Sequence, residues 1–246
     1  MMNIENEEKV VQVPINQIRD FPDHPYKVKD DESMNELVES VMQRGLIQPI
    51  IIRPTEDGNY EMVSGHRRKR AFEIAGIEKI PAKVKEMTRD EAILAMVDSN
   101  LQREIILPSE KAFSYKMRLE AMNRQGMRTD KTSTPSESKF RTNEQLAEEV
   151  GESREQIRRY IRLTNLIPDL LELVDEGRIA MRPAVEISYL PEEAQEQLYE
   201  TIDYNDATPS HYQAIRLRKF HSDGKLTSEV IEAIMSEEKP NRATRS

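Results

Sequence analysis

Short apolar runs alternate with helical repeats along the first hundred residues of the chain. Apolar side chains between residues 34 and 42 recur at helical spacing, and Gly45 follows them as a stop signal. A further helix is predicted from Thr88 to about Asn100, because Thr88 and the glutamate three residues later form a capping-box pattern. Four segments predict short strands: the beginning of VVQVPINQIRDFP, which starts at residue 10 and continues as a loop, and residues 50–52, 60–63 and 80–84. This mixture predicts an α+β domain.

After residue 107 the pattern is helical throughout. A helix is predicted from Pro108 to about Gln125. Residues 126–141 have the composition of a loop and no apolar period, so we expect a flexible connection between helices. The stretch that follows residue 166 predicts short helices separated by proline and glycine.

Two short helices after this loop carry matching start signals. Thr142 and Ser153 each begin a Ser/Thr-x-x-Gln capping box, and Gly151 lies in the turn between the two helices. Two capped helices joined by a short glycine turn are typical of a helix-turn-helix unit. We therefore expect such a unit at about 142–164.

These patterns predict four parts of the chain. We expect an α+β domain that is followed by an all-α helix-turn-helix DNA-binding domain, with a short segment at each end. The expected bounds are a flexible tail at 1–10, the α+β domain at 11–107, the helical domain at 108–222, and a C-terminal helix and tail at 223–246.

Composition narrows the classes of function. The 246 residues include 36 Lys and Arg against 45 Asp and Glu, which gives a formal net charge of −9. Only the segment 108–166 is basic, with 12 basic and 9 acidic side chains, so contacts with a polyanion are expected mainly there. The chain has no Cys, which excludes disulfides, thiolate metal sites and cysteine nucleophiles. No apolar run approaches the ~18 residues of a membrane helix, and we expect a cytoplasmic protein without membrane contact.

The segment 64–71, SGHRRKRA, carries the most chemistry in the α+β domain. A strand ends, Gly65 allows a sharp turn, and a helix begins with basic side chains in its first turn. Cations at a helix N-terminus oppose the helix dipole, so a phosphate bound by backbone N–H groups and guanidinium groups would explain the arrangement. A solvated basic face is the alternative interpretation.

The second helix of the predicted helix-turn-helix carries the chemistry of the other domain. Its N-terminal end, which meets base edges in such motifs, holds Ser153, Arg154, Gln156 and Arg158. Arg159 and Arg162 are better placed for phosphates. Thr142, at the start of the preceding helix, is also expected to contact the DNA. The alternative is a helical hairpin with a charged outer face.

Three motifs in register give the chain a family resemblance. The segments GLIQPIIIRPTEDGNYEMVSGHRRKRAFEIAGIEKIPAKV, NLQRE and LPSEKA resemble the GxxQPxxV, GERRxRA and ENxQRxxLxPxEEA patterns of the ParB N-terminal domain. The match covers about residues 11–120, and the later helices resemble the bundle of ParB and KorB repressors. The resemblance implies a small mixed sheet with helices, ParB/sulfiredoxin-like, that binds CTP with Mg²⁺.

The resemblance also implies which residues would bind the nucleotide. Gly65, Arg67, Arg68 and Arg70 would hold the phosphates, with Ser64 and His66 in the same motif. Asn100 and Arg103 would line the metal and phosphate side, Asn100 being the expected Mg²⁺ ligand. His24, Tyr26 and Gln48 would lie in loops that frame the pocket.

The chain departs from the family pattern at three places. His66 stands where the motif has Glu, and Ser99 stands where a Glu is expected before Asn100. Asp98 is one residue away, which on a helix turns it by roughly 100°. Lys27-Val28-Lys29 replaces the usual Gln-Pro-Arg. Because Mg²⁺ prefers carboxylate oxygens, these departures leave CTP hydrolysis open, and we expect at most weak CTPase activity.

By resemblance, the chain is expected to be a DNA-binding partition protein. It would act as a CTP-gated homodimeric clamp that loads at a palindromic, parS-like double-stranded DNA site and spreads, with a ParA-type ATPase as partner. It would lie in the bacterial cytoplasm, on the nucleoid or a plasmid. The alternative is a KorB-like transcriptional regulator of a plasmid or mobile element with weakened or absent CTPase activity. Enzymes of related fold are disfavoured, because sulfiredoxin chemistry needs a Cys and a free-serine kinase needs no helix-turn-helix.

Overall fold

A computed structural model describes residues 9–45, 48–101, 103, 105–129 and 135–237 of the chain. Residues 1–8, which make up most of the expected N-terminal tail, lie outside the described residues. So do residues 130–134 of the expected loop and residues 238–246 of the expected C-terminal tail. The chain forms two compact units, Met1–Glu104 with Met117–Thr142 and Ile105–Lys116 with Asn143–Ser246.

The first unit is built on a five-stranded mixed sheet. Its strands, in the sheet order β1-β5-β3-β4-β2, are β1 (Val10–Pro14), β5 (Lys79–Val84), β3 (Ile50–Pro54), β4 (Tyr60–Ser64) and β2 (Ile18–Arg19). Strands β1 and β5 pair antiparallel, β5 and β3 parallel, β3 and β4 antiparallel, and β4 and β2 parallel. The predicted α+β fold with a small mixed sheet is confirmed.

Helices cover both faces of this sheet. On one face, Ile50, Ile52, Met62 and Ile80 are fully buried with Met34 from α1 (Glu32–Arg44) and Phe72 from α2 (His66–Ile74). On the other face, Val63 packs in a cluster with apolar residues of α3 (Arg89–Leu101) and of the later turns of α4 (Pro108–Thr129). The alternation of the strand residues therefore serves two cores, one on each side.

The second unit is helical throughout its described residues. It has the first turns of α4 and the second half of α5 (Pro135–Val150), together with α6 (Arg154–Leu163), α7 (Pro168–Asp175), α8 (Met181–Ile187), α9 (Glu192–Asn205), α10 (His211–Ser222) and α11 (Ser228–Ser236). A single apolar core joins α4 and the helices from α6 to α11, with Leu163, Leu170, Ile187 and Leu198 fully buried in it. In the part of the chain that the structure describes, no helix is long and apolar enough to cross a membrane.

The connection between α4 and α5 differs from the sequence prediction. The structure continues α4 to Thr129 and begins α5 at Pro135, where the sequence predicts a loop over 126–141. Gly126 is tolerated inside a helix at a cost of about 1 kcal/mol, and proline suits the first turn of a helix. Thr142 is therefore a buried residue inside α5, and the prediction that it caps a helix is wrong.

Gly65 makes the turn between β4 and α2. It is the N-cap of α2 with φ of 106°, in the left-handed region that side chains disfavour. A Cβ atom at this position would lie 2.8 Å from Cγ2 of Ile50 and 3.1 Å from a guanidinium nitrogen of Arg68. Strand and helix approach so closely here that a side chain at position 65 does not fit.

We predict that Gly65→Ala destabilises the first unit by about 2–3 kcal/mol, because strain and a clash with the rigid Ile50 side chain act together. Chemical denaturation followed by circular dichroism measures the change. The matched control is Gly58→Ala, where φ is 80° but nothing lies within 4 Å of the added carbon. That variant carries the backbone strain alone and is expected to lose less stability; equal losses in the two variants would contradict the proposed clash.

Candidate functional site

A cleft in the first unit collects most of the residues that the sequence predicts for nucleotide binding. It has a volume of about 210 Å³. Its walls come from the loop before α1, the β4–α2 junction, and the end of α3 with the chain after it. The lining residues are His24, Tyr26, Lys27, Val28, Ser64, Gly65, His66, Arg67, Arg68, Ser99, Asn100 and Arg103. Of the eleven predicted residues, only Gln48 and Arg70 are absent from this lining.

Among the described residues that line the cleft, all charged side chains are positive. Lys27, Arg67, Arg68 and Arg103 contribute four cationic side chains, and none of the described lining residues is Asp or Glu. The start of α2 borders the same space, and no side chain caps its first backbone N–H groups. Free N–H groups and guanidinium groups at one helix start are the donors that bind phosphate.

Two arginines of α2 are held in place by neighbouring groups. Arg68 is half-buried, and its Nη1 donates to the backbone carbonyls of Gln48 at 2.6 Å and Pro49 at 2.9 Å. Burial lowers the pKa of the Arg68 guanidinium, which still stays protonated because an arginine does not lose its proton in proteins. Arg67 donates to Oγ of Ser33 at 2.6 Å. Gln48 thus acts on the cleft through its carbonyl, which orients Arg68.

The other two basic residues of the run 67–70 point to carboxylates elsewhere. Arg70 donates to both oxygens of Asp30, at 3.0 and 2.5 Å, and this hydrogen-bonded pair raises the pKa of Arg70. Lys69 is buried and its Nζ lies 2.7 Å from Oδ1 of Asp20. Helical periodicity therefore divides the run, with only Arg67 and Arg68 lining the cleft.

Two histidines stack inside the cleft. The rings of His24 and His66 have centroids 3.6 Å apart and are tilted by 33°, and the ring of Tyr26 meets His24 edge-on at 5.6 Å. Burial, and then the nearby charge of His24, lower the pKa of His66 to about 3. Nε2 of His66 is buried without a hydrogen-bond partner in the structure. His66 is therefore a neutral imidazole with an unused nitrogen in this cleft.

The family resemblance predicts a metal ligand, Asn100, at the end of α3. Asn100 donates its amide nitrogen to the carbonyl of Met96 at 2.9 Å, and Ser99 donates its hydroxyl to the same carbonyl at 2.9 Å. Asp98 forms an ion pair with Arg118 instead of lining the cleft. Among the described residues no cluster of three or more His, Cys, Asp or Glu could hold a metal. The oxygen atoms at the end of α3, one amide oxygen from Asn100 and one hydroxyl from Ser99, include no carboxylate and fit Mg²⁺ poorly.

The second predicted site lies on α6. Gly151, with φ of 67°, turns the chain after α5, and Oγ of Ser153 accepts the backbone N–H of Gln156 at 3.1 Å to cap α6. Ile157 and Leu163 are buried in the core, so the opposite side of α6 faces outward. The predicted glycine turn and the second helix cap are both observed.

The arginines of α6 divide into two groups. Arg154, Arg158 and Arg159 are partly or largely exposed, with ion pairs from Arg154 to Glu144 at 3.4 Å and from Arg159 to Glu155 at 3.5 Å. Arg162 instead donates to the backbone carbonyl of Ser188 at 2.7 Å and to its hydroxyl at 3.1 Å. The sequence predicts phosphate contacts for Arg162, but these contacts tie it to its own protein.

A tyrosine that sequence reasoning missed completes this arrangement. Two guanidinium groups stack on the ring of Tyr189. The guanidinium carbon of Arg162 lies 3.8 Å from the ring centroid, and the guanidinium carbon of Arg218, from α10, lies 3.6 Å from it. Arg218 also donates to Glu186 at 2.9 Å. The stack connects α6 with α10 through the loop after α8. No signal in the sequence singles out Tyr189, because the residues it joins are far apart in the chain.

Two models of ParB domains match the chain. Residues 2–101 match the family model of the ParB N-terminal domain, and residues 136–213 match that of the ParB HTH domain. The chain is similar to the chromosome-partitioning protein Spo0J of Thermus thermophilus, with 38% identity over 170 residues that cover 69% of this chain and 56% of the relative. It is also similar to stage 0 sporulation protein J of Bacillus subtilis, with 36% identity over 178 residues that cover 72% and 56%.

Among solved structures, a pNOB8-like ParB-N domain shares the fold. It aligns with a TM-score of 0.52 and 16% identity, and the alignment covers 93% of this chain and 98% of that chain. The chain spans somewhat more than half the length of the curated relatives described above.

The neutral state of His66 predicts a pH-dependent stability. Its pKa is below the usual 6.5, so between pH 6.5 and about 3 the unfolded chain binds a proton that the folded chain excludes. The free energy of unfolding should therefore fall on acidification. His66 should account for a loss of about 2 kcal/mol at pH 5, relative to a pH well above 6.5. Denaturation of the wild type and of His66→Gln measures this share, and the variant should show a shallower fall. A His66 imidazole that titrates near 6.5 by NMR would contradict the prediction.

The stack on Tyr189 predicts a specific loss of stability. Tyr189→Leu removes two cation–π contacts and is expected to lower the free energy of unfolding of the second unit by about 1–2 kcal/mol. A double-mutant cycle with Arg162→Met should give a coupling energy of at least about 0.5 kcal/mol. Tyr204→Leu is the matched control, since Tyr204 is 90% exposed in the same unit and its loss should matter little. Additive effects of the two substitutions would argue against the stack.

Proposed function

Because the chain belongs to the ParB family, we propose that it is a site-specific DNA-binding partition protein whose first unit binds CTP. One observation carries the proposal. A cleft whose described lining has four cations and no Asp or Glu occurs in the same chain as a capped helix that exposes arginines from a helix-turn-helix. A triphosphate and a double helix are two polyanions, and each site has the chemistry for one of them.

The cleft has donors for the triphosphate of CTP. Arg67 and Arg68 are oriented by Ser33 and by the carbonyls of residues 48 and 49, so they are available in a fixed geometry at low entropic cost. Lys27, Arg103 and the uncapped start of α2 would supply further donors. Ser64, His66, His24, Tyr26 and Asn100 would contact the rest of the nucleotide.

The surface of α6 has donors for DNA. Ser153, Arg154, Gln156 and Arg158 lie at its N-terminal end, the part that enters the major groove in helix-turn-helix proteins. Arginine recognises guanine by two parallel hydrogen bonds. Arg159, further along α6, would contact the phosphate backbone. Arg162 would act indirectly, since its contacts with Ser188 and Tyr189 orient α6.

The action of the whole protein follows from combining the two sites. The partition protein would load at a palindromic, parS-like site as a homodimer, and CTP would favour the closed state of a clamp that then spreads. A nucleotide drives such a change only if it binds the closed state more tightly than the open one. A ParA-type ATPase would be the partner, on the nucleoid or a plasmid in the cytoplasm.

The two competing functions have less support. The relatives in Thermus thermophilus and Bacillus subtilis are a chromosome-partitioning and a sporulation protein, which does not favour a KorB-like transcriptional regulator. A free-serine kinase has no need of a helix-turn-helix, so that function does not explain the exposed arginines of α6. We propose at most weak CTP hydrolysis, because the cleft lacks the carboxylate that the family pattern has at position 99.

Two single substitutions should separate the two sites. Arg158→Ala should weaken binding to the cognate duplex and relax the choice of base by about 1–3 kcal/mol, with CTP binding unchanged. Arg67→Ala should lower CTP affinity at least tenfold and leave the affinity for cognate duplex unchanged. Fluorescence anisotropy of labelled duplex and isothermal titration of CTP measure the two affinities.

Each substitution has a matched arginine control. Arg70→Ala removes a cation whose partner, Asp30, holds it outside the cleft lining, so CTP affinity should fall less than in Arg67→Ala. Arg159→Ala should weaken binding to all duplexes alike and reduce the salt slope by about 1. Equal loss of CTP and DNA binding in every variant would argue against two separate sites.

A further inference from the structure

The described residues that line the cleft include no carboxylate, which is the ligand that a magnesium ion normally takes from a protein. Mg²⁺ is normally held by one or two carboxylates together with the phosphates of its nucleotide. Position 99, just before Asn100, carries a hydroxyl that is already donated to the carbonyl of Met96. The amide nitrogen of Asn100 donates to the same carbonyl, which leaves one amide oxygen of that residue for a ligand.

Four described carboxylates that lie near the cleft in the chain have other partners. Asp98 pairs with Arg118, and Asp30 accepts two hydrogen bonds from Arg70. Asp31 accepts from the Ser33 hydroxyl and from the backbone N–H of Met34, because it is the N-cap of α1. Asp20 accepts from Lys69. Moving any of these carboxylates to a metal would break an ion pair or a helix cap.

The cleft has four cationic side chains that can neutralise phosphates, as a bound metal ion would. Lys27, Arg67, Arg68 and Arg103 line a volume of about 210 Å³. Such a density of positive charge opposes a divalent cation and attracts a free triphosphate, which carries more negative charge than its magnesium complex. Arg67 and Arg68 are already fixed by hydrogen bonds to Ser33 and to the carbonyls of residues 48 and 49.

We infer that the cleft binds a nucleoside triphosphate as the metal-free anion, with its basic side chains neutralising the phosphates and without Mg²⁺ as a required ligand. This inference rests on the proposed function, since it concerns how the same cleft holds CTP. Ser99 is the residue that determines metal independence, because a carboxylate at that position would supply the missing ligand beside Asn100.

Titration of the full chain with CTP tests the inference directly. The affinity is measured by isothermal titration at one ionic strength, in excess EDTA and in excess MgCl₂, with the cognate duplex present in both. We expect the affinity in EDTA to be equal to that in MgCl₂ within threefold, or tighter. A loss of tenfold or more in EDTA overturns the inference and leaves the proposed function intact. Absence of CTP binding in both conditions overturns both.

The substitution Ser99→Glu is expected to make CTP binding depend on the metal ion. It should make CTP binding at least tenfold tighter in MgCl₂ than in EDTA, because the new carboxylate is repelled by free triphosphate and binds the metal complex. Ser99→Gln has the same length without the charge and should stay metal-independent. If Ser99→Glu is as indifferent to MgCl₂ as the wild type, the role assigned to position 99 is overturned.

The EPR spectrum of Mn²⁺ supplies a readout that does not depend on affinity. In the presence of CTP, addition of Ser99→Glu should broaden the Mn²⁺ signal beyond that of the Mn²⁺–CTP complex, because the protein then ligates the ion. The wild type and Ser99→Gln should leave that signal unchanged. Broadening of the signal by the wild type to the same extent as by Ser99→Glu overturns the inference.

Discussion

The contact between Gly65 and Ile50 is the constraint on which the first unit depends. The backbone of residue 65 adopts a left-handed conformation and lies so close to the side chain of a buried strand that no other residue fits without a shift. This turn starts α2 beside the sheet with its first backbone N–H groups uncapped. The position of the cationic cleft follows from it, because Arg67 and Arg68 occupy the first turn of that helix and reach the carbonyls and hydroxyl that orient them.

The sequence was sufficient to predict the class of fold and the motifs of both sites. Strand alternation, glycine stops and capping boxes are local signals, so four of the five sheet strands, the start of α3 at Thr88 and the cap of α6 at Ser153 appear where the pattern predicts them. The sequence does not predict the two-residue strand β2, because so short a segment has no alternation of its own. The cleft likewise collects residues from three separate motifs, because a match in order and spacing implies a shared fold.

What the sequence could not predict depends on tertiary contacts. A run of four basic residues appears as one charged site, yet helical geometry sends Arg70 to Asp30 and Lys69 to Asp20. Thr142 fits a capping-box pattern, but α5 already begins at Pro135, so the pattern occurs inside a helix where the cap is not needed. Arg162 has the spacing of a phosphate contact, and only the fold brings Ser188 and Tyr189 next to it.

The stack of Arg162, Tyr189 and Arg218 means that α6 cannot be exchanged for another helix without affecting its neighbours. The orientation of the helix depends on an aromatic ring from the loop after α8 and on a guanidinium from α10, two segments that lie outside the motif itself. Grafting a different helix in place of α6 would therefore change its angle as well as its side chains. An engineer who wishes to replace α6 would have to transplant Tyr189 and Arg218 together with the new helix, or redesign all three as one part.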